Sequence, residues 1–312
     1  MKVLFYTGKG GVGKSTMAAA TAFQLSKNNS VLITSLDPAH NLGDIFGVTL
    51  KDKRTKFAHN LFLAEVDLQK RSREYLEREI DVLTRTYSYL RALNLENYFN
   101  VLKYSPGIEE YALLTCIEET VRNGTDFDYL IFDTPPTGLT LRFLALPRVT
   151  ITWIERLMKI RRQILDKRYT IQKVRGGPKE GEKNPEIKLK YEEGDDDVLN
   201  RLKALDENYK SLNRFLQGED CSVIIVFNPD LLALRESERL IEGLRDLGLP
   251  LRLLIDNKVT GDNLETAGEV EKSLVEGFGK DIPVRRVALA ATIACQLGRC
   301  LYDIPEDLVS AL

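Results

Sequence analysis

The chain has 312 residues, enough to bury a sizeable core in one large α/β domain or two smaller ones. Apolar residues make up 43% and charged residues 29%, an ordinary globular balance, and no apolar run is long enough to span a bilayer. The formal net charge of -2 gives no whole-chain attraction to nucleic acid or a membrane surface, and two histidines exclude a His-rich metal site. The start, M-K-V-L-F-Y, meets glycines after a short apolar run and lacks the shape of a signal peptide, so a cytoplasmic location is expected. Cys116, Cys221, Cys295 and Cys300 are widely spread and form no C-x-x-C; they read as buried or idle thiols in a reducing compartment.

In chain order, Val3–Tyr6, Val31–Thr34, Leu61–Val66, Tyr129–Phe132, Val223–Phe227 and Leu251–Ile255 are short apolar runs with helical stretches between them. Such runs read as strands buried on both faces. The alternation predicts an α/β fold with a mainly parallel, doubly wound sheet and helices on both faces. Two regions interrupt it. In residues 69–104, Leu76, Ile80, Leu83, Tyr87 and Leu90 line one helix face. In residues 150–217, Trp153, Leu157, Ile160 and Ile164 make one stripe, and Val198, Leu202, Leu205, Tyr209, Leu212 and Leu216 another. Between these stripes, residues 176–197 are rich in Gly, Pro, Lys and Glu, end E-E-G-D-D-D, and read as a flexible loop. The expected organisation is a single domain over 1–312 with a helical subdomain built from the two insertions.

The first strand runs into G-K-G-G-V-G-K-S-T, Gly8 to Thr16, and then into a helix over Lys14–Ser26. The full G-x-x-x-x-G-K-S pattern between a strand and a helix is a phosphate-binding loop, so the fold reads as a P-loop NTPase. Its glycines allow backbone N–H groups to turn inward, and the helix N-terminus adds partial positive charge. ATP and Mg²⁺ are the expected cofactors, held by Gly8, Lys9, Gly10, Gly11, Val12, Gly13, Lys14, Ser15 and Thr16. Lys14 should contact the β and γ phosphates, and the Ser15 hydroxyl should ligate Mg²⁺.

A lysine directly after the first glycine is not required for phosphate binding. With Lys9, the segment K-G-G-V-G-K-S-T resembles the deviant Walker A signature of the ATPases that include MinD, ParA, the nitrogenase iron protein and the arsenite-pump ATPase. The resemblance implies that Lys9 reaches across a homodimer interface to the partner's nucleotide. There its charge would act as an arginine finger does.

After the second strand comes S-L-D-P-A-H-N-L-G-D-I-F-G, Ser35 to Gly47, and after the Tyr129–Phe132 strand comes D-T-P-P-T-G-L-T-L-R-F-L-A-L-P, Asp133 to Pro147. These strings resemble switch I and switch II of the arsenite-pump (ArsA) and tail-anchored-protein-targeting (GET pathway) ATPases. S-P-G-I-E-E, Ser105 to Glu110, resembles the family's P-G-x-x-E segment. By this likeness Asp37 positions and polarises the attacking water, and Asp133 holds Mg²⁺ by bonding its bound water. Both aspartates end strands and so should face the phosphate edge of the sheet. Asn41 and Asp44 would bond within switch I or across the interface. Leu139 stands where the family usually has histidine.

The C-terminal half resembles the family in F-N-P-D-L-L-A-L-R-E-S-E-R-L, Phe227 to Leu240, and L-L-I-D-N-K, Leu253 to Lys258. Asn257 would read the adenine edge. Asp230 falls where the family has a nucleotide-contacting glutamate, and Pro283 is a candidate wall of the base pocket. For Asp230 and Pro283 a plain turn role is the competing reading.

The family's specialised sites are thinner here. Without C-x-x-C, no structural zinc is expected, and of three methionines only Met158 lies in the second helical insertion. The cysteines do not fall in an arsenite-binding pattern. The two stripes read either as a groove formed when two subunits meet or as an ordinary helical cap. The basic stretch 159–190 reads as a solvated face. The expectation is Mg-dependent ATP hydrolysis driving a dimeric open/closed switch. A protein client or membrane-protein partner stays open, and neither a nucleic-acid partner nor a transmembrane segment is expected. The alternatives are an arsenite pump-driving ATPase, a tail-anchored-client chaperone and a MinD/ParA-like positioning ATPase.

Overall fold

The computed structural model describes residues 1–39, 41–86, 105–175, 192–278, 282–289 and 308. Contacts divide the chain into two compact units, Met1–Ala145 with Phe215–Leu312, and Leu146–Arg214.

The first unit carries the sheet. Its strands are β1 (Lys2–Thr7), β2 (Val31–Ser35), β3 (Thr55–Lys56), β4 (Leu61–Glu65), β5 (Tyr129–Asp133), β6 (Cys221–Phe227), β7 (Leu251–Val259) and β8 (Val284–Ala288). They lie in the order β3-β4-β2-β5-β1-β6-β7-β8. Every neighbouring pair is parallel except β3–β4. The six expected strands are all present, and β2 and β6 are buried at every position. That burial is why they read as unbroken apolar runs. Phe5 stacks on Phe132 with ring centroids 5.0 Å apart, and the register sets Tyr6 and Ser35 on either side of Asp133. The ends of β1, β2 and β5 therefore meet at one level.

Two strands lie outside the sequence expectation. β3 is a two-residue edge strand. β8, V-R-R-V-A, covers one face only, and Arg286 turns outward to Glu271 in a paired contact at 2.6 and 2.7 Å. A strand half-exposed in this way carries no apolar run to find.

The first unit's helices are α1 (Lys14–Leu25), α2 (Asn41–Phe46), α3 (Leu68–Thr86) and α4 (Ile108–Arg122), followed after the second unit by α7 (Leu231–Asp246) and α8 (Leu264–Phe278). Between them, α5 (Thr137–Arg175) and α6 (Asp197–Leu216) carry the chain through the second unit. Leu76 and Ile80 of α3 are buried, and α3 packs on α4, where Tyr75 stacks on Tyr111 at 5.8 Å. Tyr87 and Leu90, also placed on that stripe, lie outside the described residues.

In the second unit, Ile154, Met158 and Leu165 of α5 bury against Leu199 of α6, with Leu202, Leu205 and Tyr209 packed alongside. An adjoining face of α5 is exposed. Trp153 is 65% exposed, and Val149, Leu157, Ile160, Ile164, Ile171 and Val174 are exposed too. The α6 stripe therefore packs on the adjoining face of α5, about 100° round the helix from Trp153, not on the stripe predicted with it. Residues 176–191 of the predicted loop lie outside the described residues. At its far end Glu193–Asp195 form a 3-10 turn, and Asp196 accepts two bonds from Arg161 at 2.9 and 2.6 Å. The guanidinium holds the Asp196 carboxyl below the usual range.

Candidate active site

β1 lies where the strand order reverses, between β5 and β6, so the carboxyl end of β1 opens at the sheet's switch point. The loop from Gly8 leaves there and turns across β6. Gly8 has φ 148, and a Cβ on it would fall 2.1 Å from the Val226 carbonyl oxygen. Gly13 has φ 97, and a Cβ there would fall 2.4 Å from Asn257 Nδ2. A side chain at Gly8 would have to move the backbone of β6, and one at Gly13 would displace the Asn257 amide as well as strain a left-handed backbone. Gly13 caps α1 with no side-chain bond, so the first N–H groups of α1 remain available to an anion.

Lys14 is 5% exposed, and its ammonium donates to the Lys9 carbonyl at 3.3 Å. Burial pulls its pKa down, while the carboxylates of Asp133 and Asp37 push it back up. Lys14, Asp37 and Asp133 thus form one electrostatic group. Asp133 ends β5 and is fully buried. Burial pushes its pKa up to about 6; the Ser15 hydroxyl and Lys14 lower it, Asp37 raises it, and Ser35 lowers it. Ser35 Oγ donates to Asp133 Oδ2 at 3.3 Å, while Oδ1 is buried with no hydrogen-bond partner. A buried orphan carboxylate oxygen beside a hydroxyl fits a hydrated Mg²⁺ ion. Ser15 and Asp133 are the residues that would hold it. When bound, Mg²⁺ would neutralise charge on the phosphate oxygens.

Asp37 does not end β2, as the sequence suggested. β2 closes at Ser35, and the Leu36 N–H bonds the Asp133 carbonyl at 2.8 Å, which places Asp37 in the following turn. Its carboxylate accepts from the Ala39 N–H at 3.0 Å, and it is 9% exposed. Asn41 and Asp44 are exposed on α2. The Glu65 carboxylate accepts from the Gly43 N–H at 2.8 Å and ties α2 to β4.

Switch II is anchored to the loop strand. The Thr134 hydroxyl donates to the Tyr6 carbonyl at 2.8 Å, and the Thr140 hydroxyl donates to the Pro135 carbonyl at 2.6 Å. Arg142 lies 3.8 Å from Glu110 and links switch II to the P-G-x-x-E segment. Leu139 is partly buried at the start of α5. Ser35, Thr134 and Thr140 were not singled out from the sequence, although all three lie in strings that were.

At the end of β7, Asn257 Nδ2 donates to the Val12 carbonyl at 2.8 Å, and its Oδ1 is buried without a partner. Asp230 is the N-cap of α7, accepting from the Ala233 N–H at 2.7 Å. Pro283 is not brought to this cluster. It precedes β8, its carbonyl accepts from the Leu254 N–H at 3.0 Å, and Asn257 pairs four residues further along at Val287. At about 3.3 Å per residue that is roughly 13 Å along the strand.

A glycine loop at a parallel-sheet switch point, with a buried lysine and two acidic groups at its mouth, defines a nucleotide-binding α/β protein of the P-loop type. The family model described as anion-transporting ATPase, ArsA ATPase, matches residues 1–274, and the chain belongs to that family. A protein of Aquifex aeolicus (strain VF5), named an arsenical pump-driving ATPase, is 32% identical over 292 residues, covering 90% of this chain and 91% of the relative. The ATPase GET3 of Mycosarcoma maydis is 30% identical over 263 residues, covering 83% and 73%. The ATPase ASNA1 homolog of Dictyostelium discoideum is 30% identical over 265 residues, covering 83% and 72%. ATPase activity and ATP binding follow at the level of the family.

The raised pKa of Asp133 has a measurable consequence. Without metal the folded chain holds the Asp133 proton more tightly than the unfolded chain does, so the stability that Asp133 contributes is complete below the ordinary 3.8 and is lost as pH rises through about 6. The gap corresponds to roughly 3 kcal/mol against the ionised form. A bound cation reverses that preference. Mg-nucleotide binding at pH 6 should therefore release about half a proton more from the wild type than from Asp133→Asn, and the difference should vanish at pH 8. Calorimetry in two buffers of different ionisation enthalpy measures this, and equal proton release from both proteins at pH 6 would reject the metal role.

Proposed function

We propose that this chain is a Mg-dependent ATPase in which two copies close face to face over ATP and reopen after hydrolysis. In this reading the second unit changes the surface it offers to a protein client. The observation that carries the proposal is the convergence of Lys14 at the start of α1, Asp37 in the turn after β2 and Asp133 at the end of β5. Lys14 binds the β and γ phosphates after leaving the Lys9 carbonyl. Asp37 orients the attacking water and draws on its proton. The P-loop N–H groups and the start of α1 hold the phosphate oxygens. The ammonium of Lys9 makes no hydrogen bond or ion pair among the described residues, which supports a role toward a second copy. The orphan Oδ1 of Asn257 is an acceptor suited to an adenine amine. Asp230 caps α7 through one carboxylate oxygen, and Pro283 has no part in this reading.

A client-binding role is supported by the run of exposed apolar residues along α5 from Val149 to Val174. The name of the Aquifex relative favours a second reading, a pump-driving ATPase for arsenicals. Cys116 lends that reading no support: the thiol is buried and its pKa is pushed up to about 12, so it stays protonated.

The chain holds a single tryptophan, and it lies in the stripe. Mg-ATP added to the Asp37→Asn protein should shift the Trp153 emission to the blue as closure or client occupancy removes the ring from water. The shift should grow with protein concentration and be absent from Trp153→Phe. Tight ATP binding with an unmoved emission spectrum at every protein concentration would remove the coupling between nucleotide and stripe.

A further inference from the structure

Consecutive residues of a strand point to opposite faces of the sheet. Asn257 and Lys258 break that rule. Asn257 bonds the Val12 carbonyl, and the Lys258 ammonium bonds the Gly11 carbonyl at 2.6 Å. Two neighbouring side chains of β7 thus reach two neighbouring peptides of the phosphate loop. They do so because Lys258 has φ 61, the only positive φ at a non-glycine position among the described residues. The register against β8 passes from Asn257–Val287 to Val259–Ala288, so Lys258 is the extra residue of a bulge. Bulges of this kind re-aim a side chain.

The strained conformation is held from outside. The Asn263 side chain donates to the Lys258 carbonyl at 3.1 Å and accepts from the Thr260 N–H at 2.7 Å. A left-handed backbone at a lysine is unfavourable and persists only where its surroundings over-determine it. Here those surroundings deliver an ammonium to the loop.

In a trans peptide the carbonyl and the following N–H point in opposite directions. Drawing the Gly11 carbonyl toward β7 turns the Val12 N–H the other way, and drawing the Val12 carbonyl does the same for the Gly13 N–H. Two successive N–H groups aimed into one concavity make an anion nest.

We propose that Lys258 is a positioning residue for phosphate binding, one that pins the Gly11 peptide so that the loop is shaped before nucleotide arrives. It acts through the loop backbone and is not a catalytic residue. The inference rests on the reading of Gly8–Thr16 as the phosphate site.

The test uses the full chain with pyrophosphate and Mg-ATP as separate probes, together with thermal melting. Lys258→Met keeps the stem and removes the donor. It should weaken pyrophosphate and Mg-ATP by the same factor, roughly tenfold to a hundredfold, the span expected for one charge-assisted hydrogen bond. Lys258→Gly relieves the backbone and should lose as much affinity while melting no lower than the wild type. Lys258→Arg, which keeps a donor, should recover most of it. Wild-type affinity for pyrophosphate in both Lys258→Met and Lys258→Gly would overturn the proposal. So would a loss that Lys258→Arg does not relieve. If the wild type itself binds neither probe, the phosphate-site reading fails first, a result distinct from either.

Discussion

Replacing Asp37 with asparagine will leave Mg-ATP bound and lower its turnover by about 10² to 10⁴-fold, the range expected when a positioned general base is removed. The substitution is nearly isosteric, and an amide oxygen can still accept the Ala39 N–H that now fixes the carboxylate. The turn after β2 should therefore keep its shape. What is lost is the negative charge, which acts on both Lys14 and Asp133. Without it, Lys14 becomes less strongly held in its charged form, while Asp133 ionises more easily. Phosphate binding therefore changes little, and the step needing a proton acceptor fails. Single-turnover hydrolysis at saturating ATP, read beside equilibrium binding, separates the two effects. Turnover within a few-fold of the wild type would exclude Asp37 as the base.

Lys9→Ala is expected to cut hydrolysis by about 10³-fold or more while Mg-ATP affinity stays within a few-fold, the behaviour of a charge supplied in trans to the transition state. The backbone of Lys9 already serves its own loop, since its carbonyl accepts from Lys14, and alanine keeps that carbonyl. The decisive form of the experiment is mixing. Lys9→Ala and Asp37→Asn are each inactive alone, but a mixed dimer would hold one site with both groups present. At equal amounts half of the dimers are mixed, so roughly a quarter of wild-type turnover should return. No recovery on mixing, with dimers present by sedimentation, would place Lys9 in its own site or in none.

The site residues differ in how far a linear reading could place them. Asp133 was legible because a carboxylate closing an apolar strand next to the loop strand has few places to go, and β5 does pair with β1. Asp37 was legible as a residue and misplaced by two positions, because the end of β2 depends on where Leu36 finds its partner on β5. Asn257 stood out in its string, but its bond to Val12 joins residues 245 apart, a distance over which no local pattern acts. Lys258 was visible only as the next letter. Its reach to Gly11 depends on a left-handed backbone held by Asn263, which composition does not announce. Pro283 sat in a suggestive string, and the register of β8 against β7 carries it away from the loop.

The two apolar stripes show the same division. Periodicity identified both helices, but it could not say which faces meet. In the second unit α6 buries Ile154, Met158 and Leu165, and Trp153 is left outside.

By itself, the sequence determined the six central strands, the phosphate loop and its two acidic companions, and the family. Those features are written in short contiguous patterns: apolar runs for strands buried on both faces, and glycines where backbone must approach phosphate. Only the tertiary structure decided the edge strand β8, the cap role of Asp230, the bulge that sends Lys258 to the loop, and the exposed face of α5. Each of these depends on which distant groups meet, and hydrogen bonding and packing settle that only once the chain is folded.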